Sequence, residues 1–228
     1  MTSFQQITKR IFDLTLAFVG LVLLSPVLLI VAVVVRATSP GPALFIQDRV
    51  GRHGRMFRCA KFRTMRTGMD HHGSVTAAGD DRITPVGRFL RRWKLDELPQ
   101  LWHVLTGRMA LVGPRPDVPG YADRLEGDAR RVLVLRPGIT GPAALFFRDE
   151  ERLLALARNP RRFNDEVLFP EKVRINLDYL AQDSFWRDIG YLIATVAPGA
   201  ARRLGLERRL GLDDAEVSTR MEQEAMRY

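Results

Sequence analysis

The sequence contains a single cysteine, Cys59, which excludes an internal disulfide and leaves no thiolate spacing for a metal site. It reads most simply as a small core residue. Aromatic residues are scarce, at 8%, and no nucleic-acid-binding motif accompanies the basic residues, so nucleic acid is not read as a partner. Histidine is rare too. The adjacent pair His71-His72 sits in a polar, Gly-rich stretch, Gly68 to Asp81, with no cysteine nearby, and reads as solvent-exposed rather than metal-binding. No internal repeat or low-complexity tract occurs. What the chain has in excess is positive charge: 35 Lys+Arg against 26 Asp+Glu give a formal net charge of +9, which points to anionic partners such as acidic lipid or phosphorylated substrates. Its 228 residues suffice for one domain with a real core and an appendage.

Against this charged background, Leu14 to Val35 is a run of 22 residues without a charge, long enough to span a bilayer core of about 20 residues. The run is too long for a signal peptide, and Arg36 follows it with no small-residue cleavage pattern. Ser25-Pro26 falls at its middle, where proline removes a helix hydrogen bond and the serine hydroxyl can satisfy the carbonyl it releases. Lys9 and Arg10 precede the run, while Arg36, Arg49, Arg52, Arg55 and Arg58 follow it. Basic residues are retained in the cytoplasm, so positive charge at both ends conflicts with a simple span. A helix that enters, breaks at Ser25-Pro26 and returns to the same face resolves the conflict; on the residues alone a kinked spanning helix stays equally open. Arg10 and Asp13 are expected to be interfacial rather than chemical.

Chemistry concentrates between Arg88 and Pro116. Asp96 and Glu97 precede apolar residues at Leu98, Leu101, Trp102 and Leu105, the spacing of a helix with one buried face. Asp96 is expected as its N-cap, Pro99 in its first turn and Gly107 at its C-terminal stop. An Asp-Glu pair in that place is ordinarily a cap with first-turn acids, but a helix N-terminus also holds a phosphate well. Arg88, Arg91, Arg92 and Lys94 crowd the approach, and Arg115 follows between two prolines. Upstream, Ala43 to Gln47 and Met56 to Phe62 suit two short strands around Gly51-Arg52-His53-Gly54. Lys61, Arg63 and Arg66 then form either a basic edge against anionic headgroups or a phosphate clamp. Downstream, Val118 to Leu135 reads as a surface helix, Arg136 to Gly141 as a sharp turn, Glu150 to Arg158 as a short helix, and Phe169 to Leu180 as an amphipathic one. Ser184 to Ala197, with Phe185, Trp186, Tyr191 and Ile193, suits an interfacial helix or an ordinary core helix. Residues from Arg202 to Tyr228 are too charged for a core period and read as a tail or loose helix.

The string KLDELPQLWHVLTGRMALVGPRP, with KFRTM at Lys61 to Met65 and RPGITG at Arg136 to Gly141, closely resembles the signatures of the bacterial sugar transferases. These are the monotopic phosphoglycosyl transferases that load a phosphosugar onto a polyprenyl phosphate. The resemblance covers roughly Lys9 to Ala197. It implies an α/β fold, mostly α with a small β element: a re-entrant membrane helix (1–36) broken at Ser25-Pro26, a compact cytosolic catalytic domain (37–200) with interfacial amphipathic helices, and a charged tail (201–228). It also implies transfer of a sugar-1-phosphate from a UDP-sugar to undecaprenyl phosphate with release of UMP, as the first membrane step of a bacterial glycoconjugate pathway.

On this reading Asp96 is the nucleophile that attacks the β-phosphate, forming a phosphosugar-aspartyl intermediate, and Glu97 holds Mg²⁺. Lys61, Arg91, Arg115 and Arg148 neutralise phosphate charge. Because the bond broken joins phosphorus to oxygen, the anomeric configuration is unchanged. The site is expected at the cytoplasmic face of the inner membrane, against anionic lipid, with a homodimer left open. Two departures from the family pattern bear on sugar choice: Ala144 stands where many members have glutamine, and Phe147 where they have glycine. Asp188 falls where relatives carry an acid close to the site, while Asn176 replaces an acid that some of them carry. The alternatives are a membrane-attached glycosyltransferase that moves the sugar alone and releases UDP, and a non-catalytic scaffold that binds acidic lipid.

Overall fold

The computed structural model describes residues 2–68, 78–212 and 215–228. His71 and His72 lie outside them. The chain opens with one long helix, α1 (Ser3–Thr38), capped by reciprocal bonds between Thr2 and Gln5, each at 3.3 Å. The helix runs on through Ser25-Pro26, so the expected break is a missing hydrogen bond inside a continuous element rather than an interruption. Pro26 has no N–H to offer the Val22 carbonyl four residues back, and the Ser25 hydroxyl donates to that carbonyl instead, at 2.8 Å.

One stripe of α1 is covered by the rest of the protein. Phe12 and Ala17 join the main core cluster, and Gly20 lets Leu101 approach to where a Cβ would lie 3.3 Å from its side chain. Further along, Val31 and Val35 pack on Phe62 and Leu90. The other face, including Phe18, Leu23, Leu29, Ile30 and Val33, is bare. By length and composition α1 can cross a membrane, and only 11% of its most apolar stretch is buried, unlike the core helix of a soluble protein.

The expected hairpin is present. Strands β1 (Leu44–Val50) and β2 (Met56–Phe62) pair antiparallel from Leu44 opposite Phe62 to Val50 opposite Met56. Arg63, which follows β2, is buried and donates to the carbonyls of Ser39, Pro40, Gly41 and Pro42. It therefore pins the turn after α1 and is not part of a phosphate clamp. Next come α2 (Pro85–Arg92), a 3₁₀ segment at Leu95–Gln100, and α3 (Leu101–Leu105).

Two three-residue strands, β3 (Ala110–Val112) and β4 (Gly138–Thr140), pair in parallel. The expected turn at Arg136 to Gly141 is thus a strand. Its glycines are required by contact of backbone with backbone: a Cβ on Gly138 would stand 2.2 Å from the Gly113 nitrogen, and one on Gly141 2.1 Å from the Gly113 oxygen. Between the strands, the helix expected over Val118 to Leu135 is instead two 3₁₀ pieces, Ala122–Arg124 and Gly127–Val134, separated near Gly127 at φ 54°.

Helices α4 (Pro142–Phe146), α5 (Glu150–Leu156), α6 (Pro160–Phe163), α7 (Phe169–Ala181) and α8 (Phe185–Val196) complete the body. The C-terminal segment departs from the loose tail expected of it. It forms α9 (Pro198–Arg203), α10 (Leu206–Arg209) and α11 (Ala215–Ala225). Ala201 and Leu210 enter the main core, while Met221 and Ala225 pack with Phe147, Leu154, Phe163 and Leu168. Val217, Met221 and Ala225 recur every four residues, a stripe one residue wide that charge conceals in the sequence.

Candidate functional site

The acidic pair is placed by a strained turn. Lys94 adopts the left-handed conformation (φ 54°, ψ 22°), uncommon for a side-chain-bearing residue, and its carbonyl accepts from the Glu97 N–H at 3.3 Å. Lys94 therefore occupies the N-cap position expected for Asp96. The first turn is 3₁₀, and α-helix begins only at Leu101, after Pro99. Gly107, at φ +79°, ends the helix as expected. The buried face also differs: Gln100, His103 and Val104 point inward while Trp102 is exposed. His103 Nε2 accepts from the Ala60 N–H at 3.0 Å, tying this turn to β2.

Asp96 and Glu97 are both buried, at 6% and 7% exposure, but their surroundings differ. Glu97 is gripped by Arg115, whose Nη1 donates to Oε2 at 3.1 Å and whose Nη2 donates to Oε1. Burial by itself would raise the Glu97 pKa; Arg115, with Lys94 and Lys61, outweighs it and holds the carboxyl at about 2. Asp96 is pushed upward, chiefly by burial and then by the neighbouring Glu97 charge, against the pull of Lys61, Arg91 and Lys94. Its Oδ1 is buried and has no hydrogen-bond partner among the described residues. Environments that push two adjacent carboxylates apart are how one site assigns them different roles.

The cations come from four directions. Lys61, from β2, is pushed down to about 8 by burial and by Arg49, Arg115 and Arg91, with Asp96 opposing. Arg91, at the end of α2, pairs with Glu151 of α5. Arg115 follows β3 and is 47% exposed despite its grip on Glu97. Arg49, on β1, donates to the Pro116 carbonyl at 3.0 Å and to Gln47 at 2.8 Å. Lys61, Arg91 and Arg115 thus meet at Asp96-Glu97 as the sequence reading expected. Arg148 does not: it is exposed, with no bond to this cluster among the described residues.

Several members were not foreseen. Arg49 is in the sequence one of the charges flanking the membrane run, and in the structure its bond to the Pro116 carbonyl brings it beside Arg115. Beyond Arg115 lies a cavity of about 60 Å³, walled in part by Asp117, Lys172 and Asn176. Lys172 donates to Glu150 at 2.6 Å, and burial lifts Asp117 to about 6 against Lys172 and Arg49. Phe169, Lys172, Val173 and Asn176 follow the i, i+3, i+4, i+7 stripe of α7, so the wall was legible as one helix face but not as part of this site.

Asp188 and Asp13 prove different from expectation. Asp188 is not in the cluster: Lys9 of α1 donates to its Oδ2 and the Tyr179 hydroxyl to its Oδ1 at 2.7 Å, fastening α1 to α7 and α8. Asp13 is buried beside it, and Arg10 donates to the Val104 carbonyl at 2.9 Å, capping the end of α3. Neither Arg10 nor Asp13 is merely interfacial.

Among the described residues no group of three or more acidic, histidine or cysteine side chains is arranged around one point as a metal cage. Mg²⁺ does not require one, since it commonly takes one or two carboxylates and fills its shell with water and substrate phosphate. The orphaned Asp96 Oδ1 and the lone pairs left on Glu97 beside Arg115 fit that demand.

A family model described as bacterial sugar transferase matches residues 4–201. The chain is 38% identical over 207 residues to the UDP-glucose:undecaprenyl-phosphate glucose-1-phosphate transferase of Escherichia coli (strain K12), covering 87% of this chain and 41% of that protein. It is 39% identical over 194 residues to a protein of the same name from Caulobacter vibrioides, covering 82% and 68%. It is 41% identical over 137 residues to the UDP-N-acetylgalactosamine-undecaprenyl-phosphate N-acetylgalactosaminephosphotransferase of Aeromonas hydrophila, covering 58% and 32%. The chain thus spans less than half the length of two of these three relatives.

Proposed function

The chain belongs to the bacterial sugar transferase family, and on that premise we propose that it transfers a sugar-1-phosphate from a UDP-sugar to undecaprenyl phosphate and releases UMP. The observation that carries the reading is Asp96: a buried carboxylate with an unbonded oxygen, set among Lys61, Arg91 and Arg115. Charge of that sign and density suits a diphosphate, and phosphoryl transfer asks a protein mainly for positioning and neutralisation.

In the first step an Asp96 oxygen attacks the β-phosphorus of the donor. The bond from that phosphorus to the bridging oxygen breaks, UMP leaves with that oxygen, and the sugar phosphate rests on Asp96 as an acyl phosphate. In the second step an oxygen of undecaprenyl phosphate attacks the same phosphorus and frees the carboxylate. No bond to the anomeric carbon is touched. Arg115 and Lys61 meet the donor phosphates, and Arg91 stands beside them. Glu97, with Asp96 beside it, would hold Mg²⁺, which when bound neutralises diphosphate charge.

UMP release from a UDP-sugar and undecaprenyl phosphate in detergent tests the reading. The wild-type chain is expected to release UMP with Mg²⁺, and Asp96→Asn to lose at least about a thousandfold in rate and any covalent phosphosugar adduct. Release of UDP would identify a glycosyltransferase moving the sugar alone. No nucleotide release of any kind would leave a lipid-binding scaffold.

The acceptor's chain stays in lipid, so the site must sit at a membrane surface. We place α1 in the cytoplasmic leaflet of the inner membrane as a re-entrant helix, with residues from 37 onward as the cytosolic body. Twenty-two helical residues extend about 33 Å, roughly the hydrocarbon thickness. A straight span would therefore part the two limbs, yet Phe12 and Ala17 on one and Val31 and Val35 on the other pack on a single body. Exposed Phe89, Trp93, Trp102 and Trp186 are side chains suited to an interface, and the basic surface to anionic headgroups. Cysteines introduced at positions 4 and 38 should resist labelling from the periplasmic side; labelling of either one refutes the placement.

A further inference from the structure

Asn176 is 7% exposed, lies on the wall of the cavity beyond Arg115, and its Oδ1 has no hydrogen-bond partner among the described residues. Buried polar atoms in folded proteins nearly always have a partner, and an orphan beside a cavity marks the place of an absent one. Arg115 is shared between this cavity and the Glu97 ion pair, so the empty space and the acidic pair are two sides of one guanidinium. From this, and resting on the phosphoglycosyl-transfer reading above, we infer that the cavity receives the 2-acetamido group of the donor sugar, and that Asn176 is the residue that selects N-acetylated donors.

Size argues first. The cavity holds about 60 Å³, against roughly 10–15 Å³ to hold one water and about 150 Å³ for a cavity that accepts benzene. A pyranose ring does not fit, whereas a substituent of a few heavy atoms does. Position argues next. The sugar hangs from the β-phosphate by its anomeric carbon, so the substituent nearest the phosphate-binding Arg115 is the one on the adjoining ring carbon. Chemistry decides between a hydroxyl and an acetamido group there. Asn176 Oδ1 needs a donor, which both supply. Val132, Leu133 and Val173 also line the space, and an acetyl methyl suits that apolar lining where a hydroxyl does not. Ala144 also faces the space, and its small side chain helps keep it open. The relatives described above include names with UDP-glucose and with UDP-N-acetylgalactosamine, so family membership does not decide the matter.

The test is a donor panel with the full chain in detergent and undecaprenyl phosphate, scored by UMP release: UDP-glucose, UDP-galactose, UDP-N-acetylglucosamine and UDP-N-acetylgalactosamine. At least one N-acetylated donor is expected to exceed both plain hexoses in kcat/KM by about tenfold or more. Asn176→Ala should cost that donor about tenfold and the hexoses less than about twofold. Ala144→Leu, which fills the cavity while leaving Asn176 unchanged, should produce the same selective loss, so a folding defect in one variant does not stand in for the result. A wild-type preference for a plain hexose, or equal loss on all four donors in both variants, overturns the inference while leaving the transfer reading intact. No UMP from any donor overturns that reading, and the inference with it.

Discussion

Two of the ionic clusters buried among the described residues are finished to different degrees. Beneath α1, Asp188 has both oxygens occupied, one by Lys9 and one by the Tyr179 hydroxyl. At the turn before α3, Asp96 keeps a buried oxygen with no partner among the described residues while Lys61, Arg91 and Arg115 crowd around it. A saturated cluster joins elements; one left unsaturated and over-supplied with cations is waiting for an anion. The same contrast recurs within a single dipeptide, where each Glu97 oxygen already accepts from Arg115 and Asp96 Oδ1 accepts from no described residue.

Exchanging the same atom in the two clusters should break them in different ways. Asp96→Asn, which abolishes UMP release, should leave the melting temperature unchanged or raised, because it removes a buried charge lacking a hydrogen-bonded partner. Asp188→Asn should do the reverse: a loss of about 3 kcal/mol in denaturant unfolding from stranding Lys9, with turnover per folded molecule largely kept. Equal stability losses in the two variants would erase the distinction. A smaller effect sharpens it. Lys61 carries its charge below its pKa, held near 8, so raising the pH through 8 removes a phosphate contact from the open cluster. We expect kcat/KM to fall by about threefold to tenfold between pH 8 and pH 9, and Lys61→Arg to move that limb beyond pH 10. A fall of the same size at the same pH in the arginine variant would assign the limb to another group.

Much of this was legible in the chain. The apolar run of α1, the hairpin and helices α7 and α8 follow from strong periodicity bounded by turn residues, and the Ser25 hydroxyl does what Pro26 requires. Lys61, Arg91 and Arg115 gather at Asp96-Glu97 as anticipated. What escaped was what local pattern does not encode. The β3–β4 pair joins three-residue strands 25 residues apart, too short for an alternating signal. Pro99 delays the α-helix, so the N-cap moves from Asp96 to a left-handed Lys94 that no propensity favours. Arg63 looks like its basic neighbours and is instead consumed by four carbonyls. Asn176 stands out in the sequence only as the replacement of an acid that some relatives carry, and the partner its Oδ1 lacks shows only in the structure.

The contact of Gly113 with Gly138 and Gly141 brings two spines together with no side chain between them. Arg115 stands two residues beyond that junction, and Leu111 and Val112 just before it are held in the main core. The guanidinium's address is thus fixed twice, by touching main chains and by packing, and a side chain at any of the three glycines would displace it.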